Sequence, residues 1–213
     1  MSRESRLHKL LKHPHIWRPG NLSAAARNTI PSGFNALDLK LGGGWPLDGL
    51  TEVLLSEQGI GELRLLMPAL AMLSNQEKTV SPAATADKIA WIAPPHIPYA
   101  PALALHGIDI SRLLVIHADK PADALWAMEQ ALDSSACVAV LTWLSILNDR
   151  SMRRLQLAAE TGLCWAVIFR NTRFIDNPSH AALRIRLQPA AEQLQLDILR
   201  NRYGAVGSVS VQC

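Results

Sequence analysis

Glu52-Val53-Leu54-Leu55-Ser56-Glu57-Gln58-Gly59-Ile60-Gly61-Glu62-Leu63-Arg64-Leu65-Leu66 has the outline of a phosphate-binding loop: a strand, a turn containing glycine, then a helix. A working loop of that kind needs Gly-x-x-x-x-Gly-Lys-Ser/Thr. Its backbone N–H groups cradle the phosphates, its lysine meets the β and γ oxygens, and its hydroxyl holds the metal. Here the matching positions are Ser56, Gly61, Glu62 and Leu63. A carboxylate in place of an ammonium repels polyphosphate, and Leu63 cannot touch a metal. The degenerate loop Ser56, Gly59, Gly61, Glu62, Leu63 therefore predicts a nucleotide-type fold without a bound cofactor, which shifts the question from catalysis to interaction.

Working outward, residues 51–55 are expected as a strand, 62–76 as a helix and 88–93 as the next strand. A helix follows over 98–106 with Gly107 as its cap, then a strand at 113–117, a helix at 122–133 and a strand at 137–143. Residues 151–161 predict a helix closed by Gly162. Unbroken apolar runs such as Val138-Ala139-Val140-Leu141 and Trp165-Ala166-Val167-Ile168-Phe169 point to parallel strands covered on both faces. Beyond them, 183–187 and 194–199 alternate apolar with polar residues and predict antiparallel edge strands, with 208–212 as a further one. The small, polar stretch 79–87 predicts a flexible loop. The fold class is thus a three-layer α/β/α domain over 29–213, with a mostly parallel sheet and a C-terminal antiparallel extension.

Residues 1–28 stand apart. Leu7, Leu10 and Leu11 fall at helical spacing among basic residues, Pro14 ends that pattern, and Trp17 follows before Pro19 and Gly20. This amphipathic arm has two readings of equal standing: a helix packed on its own domain, or a partner-binding element with Trp17 as anchor. The other tryptophans, Trp45, Trp91, Trp126, Trp143 and Trp165, lie near apolar elements and are expected in the core.

Composition narrows function by exclusion. Of the 213 residues 49% are apolar, which rules out a disordered chain and suits one domain. A net charge of +3 is too small to signal nucleic-acid binding, so DNA contact is expected to be weak or indirect. Cys137, Cys164 and Cys213 have neither disulfide nor metal-ligand spacing, and the first two predict buried thiols. His8, His13 and His15 lack companion ligands, so no metal site is expected. Arg150, Arg153 and Arg154 are expected on a solvated helix face. No apolar run reaches membrane-spanning length and no leader is evident, so a cytoplasmic location without membrane association is expected.

The segment Ile30-Pro31-Ser32-Gly33-Phe34-Asn35-Ala36-Leu37-Asp38, with Leu41-Gly42-Gly43-Gly44-Trp45-Pro46-Leu47-Asp48-Gly49-Leu50-Thr51-Glu52-Val53, resembles the entry into the ATPase core of the RecA recombinases. Gly107-Ile108-Asp109-Ile110-Ser111-Arg112-Leu113-Leu114 and Leu199-Arg200-Asn201-Arg202 are similar to later segments of that family. Against the family pattern, Pro95 stands where a water-activating Glu is expected and Trp143 where an Asp assists the metal. The resemblance thus implies a RecA-like core that is not an enzyme. It also implies that Arg200 and Arg202 match a basic pair reaching across a filament interface. Whether they dock on RecA or merely lie on the solvated face of an edge strand stays open at this level.

A narrower resemblance rests on His13-Pro14-His15-Ile16-Trp17-Arg18, Gly42-Gly43-Gly44-Trp45-Pro46, 59–70 and 92–103, which are similar to the ImuA family of SOS mutasome accessory proteins. It implies RecA and an ImuB-type polymerase-like protein as partners, an error-prone polymerase reached through the latter, and possible action as a RecA filament cap. The runs at 138–144 and 164–170 also resemble SulA, a division inhibitor acting on FtsZ, which supplies the alternative function.

Overall fold

The computed structural model describes residues 28–76, 86–144, 146–190 and 193–212. The expected arm and most of the expected 79–87 loop lie outside these residues. In chain order the elements are β1 (Thr29–Ile30), α1 (Asn35–Leu41), β2 (Trp45–Pro46), β3 (Leu50–Leu55), α2 (Glu62–Ser74), β4 (Lys88–Ile92) and α3 (Ala100–Leu105). Then come β5 (Leu113–Ile116), α4 (Pro121–Asp133), β6 (Cys137–Trp143), α5 (Asp149–Gly162), β7 (Trp165–Asn171), β8 (Leu183–Ala190), β9 (Gln193–Asn201) and β10 (Gly207–Val211). Short 3-10 turns at Ile110–Arg112 and Thr172–Phe174 complete the description.

One sheet of eight strands runs in the order β10-β9-β8-β3-β7-β6-β4-β5. Pairing is parallel from β8 through β3, β7, β6 and β4 to β5, and antiparallel in β8-β9-β10. The strand runs explain this arrangement. Side chains alternate across a strand, so a segment apolar at every position must be covered on both sides. Val53, Leu55, Trp91, Leu141, Val167 and Phe169 pack in one core with α1, α2 and α3, whereas Ala90, Ile92, Val140, Ala166 and Ile168 pack in a second core with α4 and α5. The expected mixed, three-layer α/β arrangement is present.

The strand at 183–187 is not at an edge. β8 pairs parallel with β3 and antiparallel with β9, leaving β10 and β5 at the two edges. Its alternation is misleading because one of its charged residues, Arg184, is itself buried, with 9% exposure. Arg184 faces Glu52 of β3, which is wholly buried, as is Arg170 of β7. Arg170 Nη1 donates to Glu52 Oε1 at 2.7 Å, and Arg184 Nε stands 2.8 Å from Oε2 as an ion pair rather than an aligned hydrogen bond. Arg184 also donates to the carbonyls of Phe174 and Ile175, while the Arg170 guanidinium lies 4.7 Å from the Phe174 ring centroid. One carboxylate thus joins three neighbouring strands and fixes the turn that follows β7.

Helix α2 tolerates Pro68 in its interior. A proline there costs about 3 kcal/mol through a lost ladder bond and a clash. Burial of Leu65, Leu66, Leu70 and Leu73 outweighs it, at about 1.5–3 kcal/mol for each such side chain. Gly33, at φ +89°, turns the entry segment over the proline ring; a Cβ there would lie 2.7 Å from Pro68 Cβ. The same entry segment buries Trp45 against Trp165, ring centroids 5.6 Å apart.

Trp126 departs from expectation. The buried stripe of α4 is Ala124, Met128 and Leu132, and Trp126, two residues off that stripe, is 64% exposed. The end of α5 departs too. Gly162 remains helical and Leu163 takes the left-handed conformation at φ 49°. Close approach is what demands glycine at 162, since a Cβ would sit 2.2 Å from the Leu132 carbonyl oxygen. Cys137 and Cys164 are buried free thiols, as expected, and burial raises the pKa of both.

These contacts generate two stability predictions. Glu52→Ala leaves two buried guanidiniums without their counter-charge and is expected to cost about 3–5 kcal/mol in urea unfolding. Gly162→Ala is expected to destabilise by about 1–3 kcal/mol, because backbone overlap exceeds the gain of up to about 1 kcal/mol in helix propensity; unchanged midpoints in either variant would contradict the packing described.

Candidate functional site

The turn between β3 and α2 sits at the C-terminal edge of the parallel strands, the position where open α/β sheets hold ligands. Gly59 and Gly61 adopt φ of +84° and +108°, which a side chain strongly disfavours, and Gly61 forms the N-cap of α2. The Gly59 N–H does not face an open cradle. Both carboxylate oxygens of Glu62, at 3.0 and 3.1 Å, accept from it. Glu62 is 5% exposed, and Leu63 packs against the core formed by α2 and the sheet. The chain's own carboxylate therefore occupies the anion position that a turn of this shape offers at a helix N-terminus.

Beside the turn lies a cavity of about 80 Å³ lined by Leu55, Ser56, Glu57, Gln58, Trp143, Phe169, Arg170 and Asn171. Trp143 stacks on Phe169 at 4.9 Å between centroids and meets Trp91 edge-on at 5.8 Å. Asn171 Nδ2 donates to the Ser56 carbonyl at 3.0 Å, tying the end of β7 to the turn. Pro95 follows β4 in a segment that opens with Ala93 at φ 49°. Among the described residues, no group of three or more His, Cys, Asp or Glu side chains is placed to hold a metal ion.

Arg200 and Arg202 stand at the end of β9, exposed and engaged within the chain. Arg200 donates to the Ser179 carbonyl, and Arg202 pairs with Glu160 of α5, which raises its pKa further. Asn201 between them is a structural residue that the sequence reading did not single out. It accepts from the Tyr203 N–H at 2.9 Å, and the turn it shapes lets Ala205 N–H donate to the Lys40 carbonyl at the end of α1. Arg154 pairs with Glu129 of α4, while Arg150 and Arg153 lie on the exposed face expected for them. Leu7, Leu10, Leu11, Trp17 and the histidines at 8, 13 and 15 fall outside the described residues.

The residues that sequence reasoning missed are the Glu52, Arg170 and Arg184 set. A partial signal was present: Arg170 directly follows the unbroken apolar run 165–169, and a buried guanidinium requires a buried carboxylate. Nothing in the spacing identified Glu52 as that carboxylate, because its partners lie 118 and 132 residues away.

The chain matches the family model described as cell division inhibitor SulA over residues 49–166. A curated relative, the cell division inhibitor SulA of Serratia marcescens, is 26% identical over 131 residues, covering 62% of this chain and 72% of the relative. The crystal structure of SulA from Pseudomonas aeruginosa matches at 27% identity with a TM-score of 0.45, covering 57% of this chain and 97% of that one. The family-model match begins just before β3, contains the turn with Glu62 and the aromatic Trp143, and ends inside β7. Since it spans more than half of the sequence, the chain belongs to the SulA family.

Proposed function

We propose that this chain is a non-catalytic protein of the bacterial SOS response that acts by binding another protein. The observation that carries this is Glu62, whose carboxylate fills the turn's anion position by accepting from Gly59 N–H. With Leu63 packed against the core and Trp143 stacked on Phe169, these two positions supply neither a hydroxyl nor a carboxylate for a metal. We read the fold as RecA-like with a degenerate phosphate loop. Family membership supports inhibition of cell division as the function, with FtsZ assembly as the process blocked.

A second reading is favoured by a specific observation. Residues 29–48 precede the family-matched span and 193–211 follow it, yet they bind each other: the turn after β9 caps α1 through Lys40 and Leu41. That entry segment carries the recombinase-like motif series, which supports an ImuA-type adaptor of translesion synthesis that binds RecA and an ImuB-type protein. Arg200 and Arg202, next to this clasp, are the residues proposed to meet RecA. Their intramolecular bonds are exposed and exchangeable, so they do not preclude it.

Two measurements check these proposals. In a thermal-shift assay with Mg-ATP at about 1 mM, the midpoint is expected to move by less than about 1 °C; a rise of several degrees would show a nucleotide bound to the native state and end the non-catalytic reading. Side-by-side assays of FtsZ sedimentation with GTP and RecA filament growth on single-stranded DNA separate the two functions. The inhibitor reading expects an equimolar amount of this chain to roughly halve sedimented FtsZ. The adaptor reading expects FtsZ to be unaffected and RecA growth to slow in a manner lost in Arg200→Ala/Arg202→Ala. No effect in either assay rejects both partners.

A further inference from the structure

Helix α4 turns an aromatic and acidic side to solvent. Its buried stripe is Ala124, Met128 and Leu132. On the opposite side Asp123, Trp126, Gln130 and Asp133 recur at three- and four-residue spacing, so they form one exposed line with Trp126 within it, 64% exposed. The helix holds three carboxylates and no Lys or Arg. Among the described residues Glu129 pairs with Arg154 of α5, and neither Asp123 nor Asp133 has an ion pair. Asp133 stands in the last turn, where the helix dipole disfavours a carboxylate and no basic residue offsets it. An exposed indole flanked by such carboxylates fits a segment that is apolar and cationic at once.

The chain carries a segment of that description. Leu7, Leu10 and Leu11 stand among Arg3, Arg6, Lys9 and Lys12, and residues 1–27 hold six Lys or Arg against one acidic residue, Glu4. Their net charge is +5, which leaves the rest of the chain at −2 against a total of +3. Reach permits the contact. The Asn28 carbonyl accepts from Leu47 N–H just before β3, at the N-terminal edge of the parallel strands, and α4 ends at that same edge, next to the start of β6. Only β7 separates β3 from β6, so their starts lie about 10 Å apart. Residues 13–27 extend to about 50 Å. Tethering also selects the occupant: a segment on so short a connection acts at about millimolar effective concentration, so a competitor at about 1 μM must bind roughly a thousandfold more tightly. A second copy presenting the same face would set Asp123 and Asp133 against their own counterparts.

We propose that residues 3–12 dock on the outer face of α4 in the same chain. Leu7, Leu10 and Leu11 cover Trp126, and the basic residues between them meet Asp123 and Asp133. Of the two readings of the amphipathic arm, this is the one in which it packs on its own domain. It goes beyond the proposed function, since it holds whichever protein the chain binds.

Carbodiimide coupling of the full chain tests this, because the reagent joins a lysine to a carboxylate only where the two touch. In an equal mixture of light and heavy-isotope protein, the links from Lys9 or Lys12 are expected to run chiefly to Asp123 or Asp133, within chains of one isotope. Trp126→Ser keeps both carboxylates and is expected to lower the yield of these links at least about fivefold, with a melting midpoint near that of the parent because the side chain is exposed. Leu10→Ser/Leu11→Ser alters only the arm and is expected to lower the yield by about as much. Trp126→Phe keeps an aromatic seat and is expected to retain the links. Absence of links between the arm and α4, links spread evenly over carboxylates elsewhere, or an unchanged yield in either serine variant overturns the proposal. Mixed-isotope links would assign the face to a second copy and overturn it as well.

Discussion

The buried carboxylate of Glu52 is the constraint around which the middle of the sheet is organised. It lies on β3 between β7 and β8 and is met by a guanidinium from each neighbour. Moving such charges out of water carries a desolvation penalty of several kcal/mol per ion, recovered only when the partners are closely placed and otherwise hydrogen-bonded. Arg184 meets this condition through the Phe174 and Ile175 carbonyls. Arg170 meets it in part: its plane lies against Phe174, while Nε and Nη2 are buried and find no acceptor among the described residues. The set is better understood as a device for specificity than as a large source of stability. A shift of β8 by one residue would turn Arg184 to the other face, and the carboxylate would lose a partner.

Around that centre the molecule closes the C-terminal edge of its parallel strands from within. Glu62 answers the Gly59 amide, Asn171 answers the Ser56 carbonyl, and Trp143 with Phe169 forms an aromatic wall. Each is a local interaction made within the chain, and together they leave a small cavity lined by both aromatic and charged residues, Arg170 among them. Buried Gln156 adds a further tie at the opposite end of the strands, accepting from the amides of Leu50 and Ala182. The sheet is therefore held at both ends by side chains rather than by strand pairing alone.

Much of this was legible in the sequence. The parallel strands follow from uninterrupted apolar runs, and helices α2, α4 and α5 follow from their spacing, because both signals are local. The expectations that failed depend on distant residues. β8 looked like an edge because its arginines suggested solvent, whereas Arg184 faces a carboxylate 132 residues earlier in the chain. Gly162 looked like a helix terminator, whereas its role is to admit the Leu132 carbonyl from another helix. Trp126 looked like core because it lies among apolar residues of its helix, yet that helix offers the sheet a stripe two residues away. The strand, turn and helix around Glu62 could be inferred from residue identity. That Glu62 would fold back onto Gly59 could not, since the carboxylate has equally good alternatives in solvent.

The salt-bridged centre also bears on modularity. The span that defines family membership, 49–166, contains Glu52 but stops short of both Arg170 and Arg184. Excised at those boundaries, β3 would keep a buried negative charge with no counter-ion and lose the neighbour β8 on one side. The span recognised by homology thus leaves out both partners of its own buried charge, and attempts to graft or trim this chain should keep Arg170 and Arg184 with it.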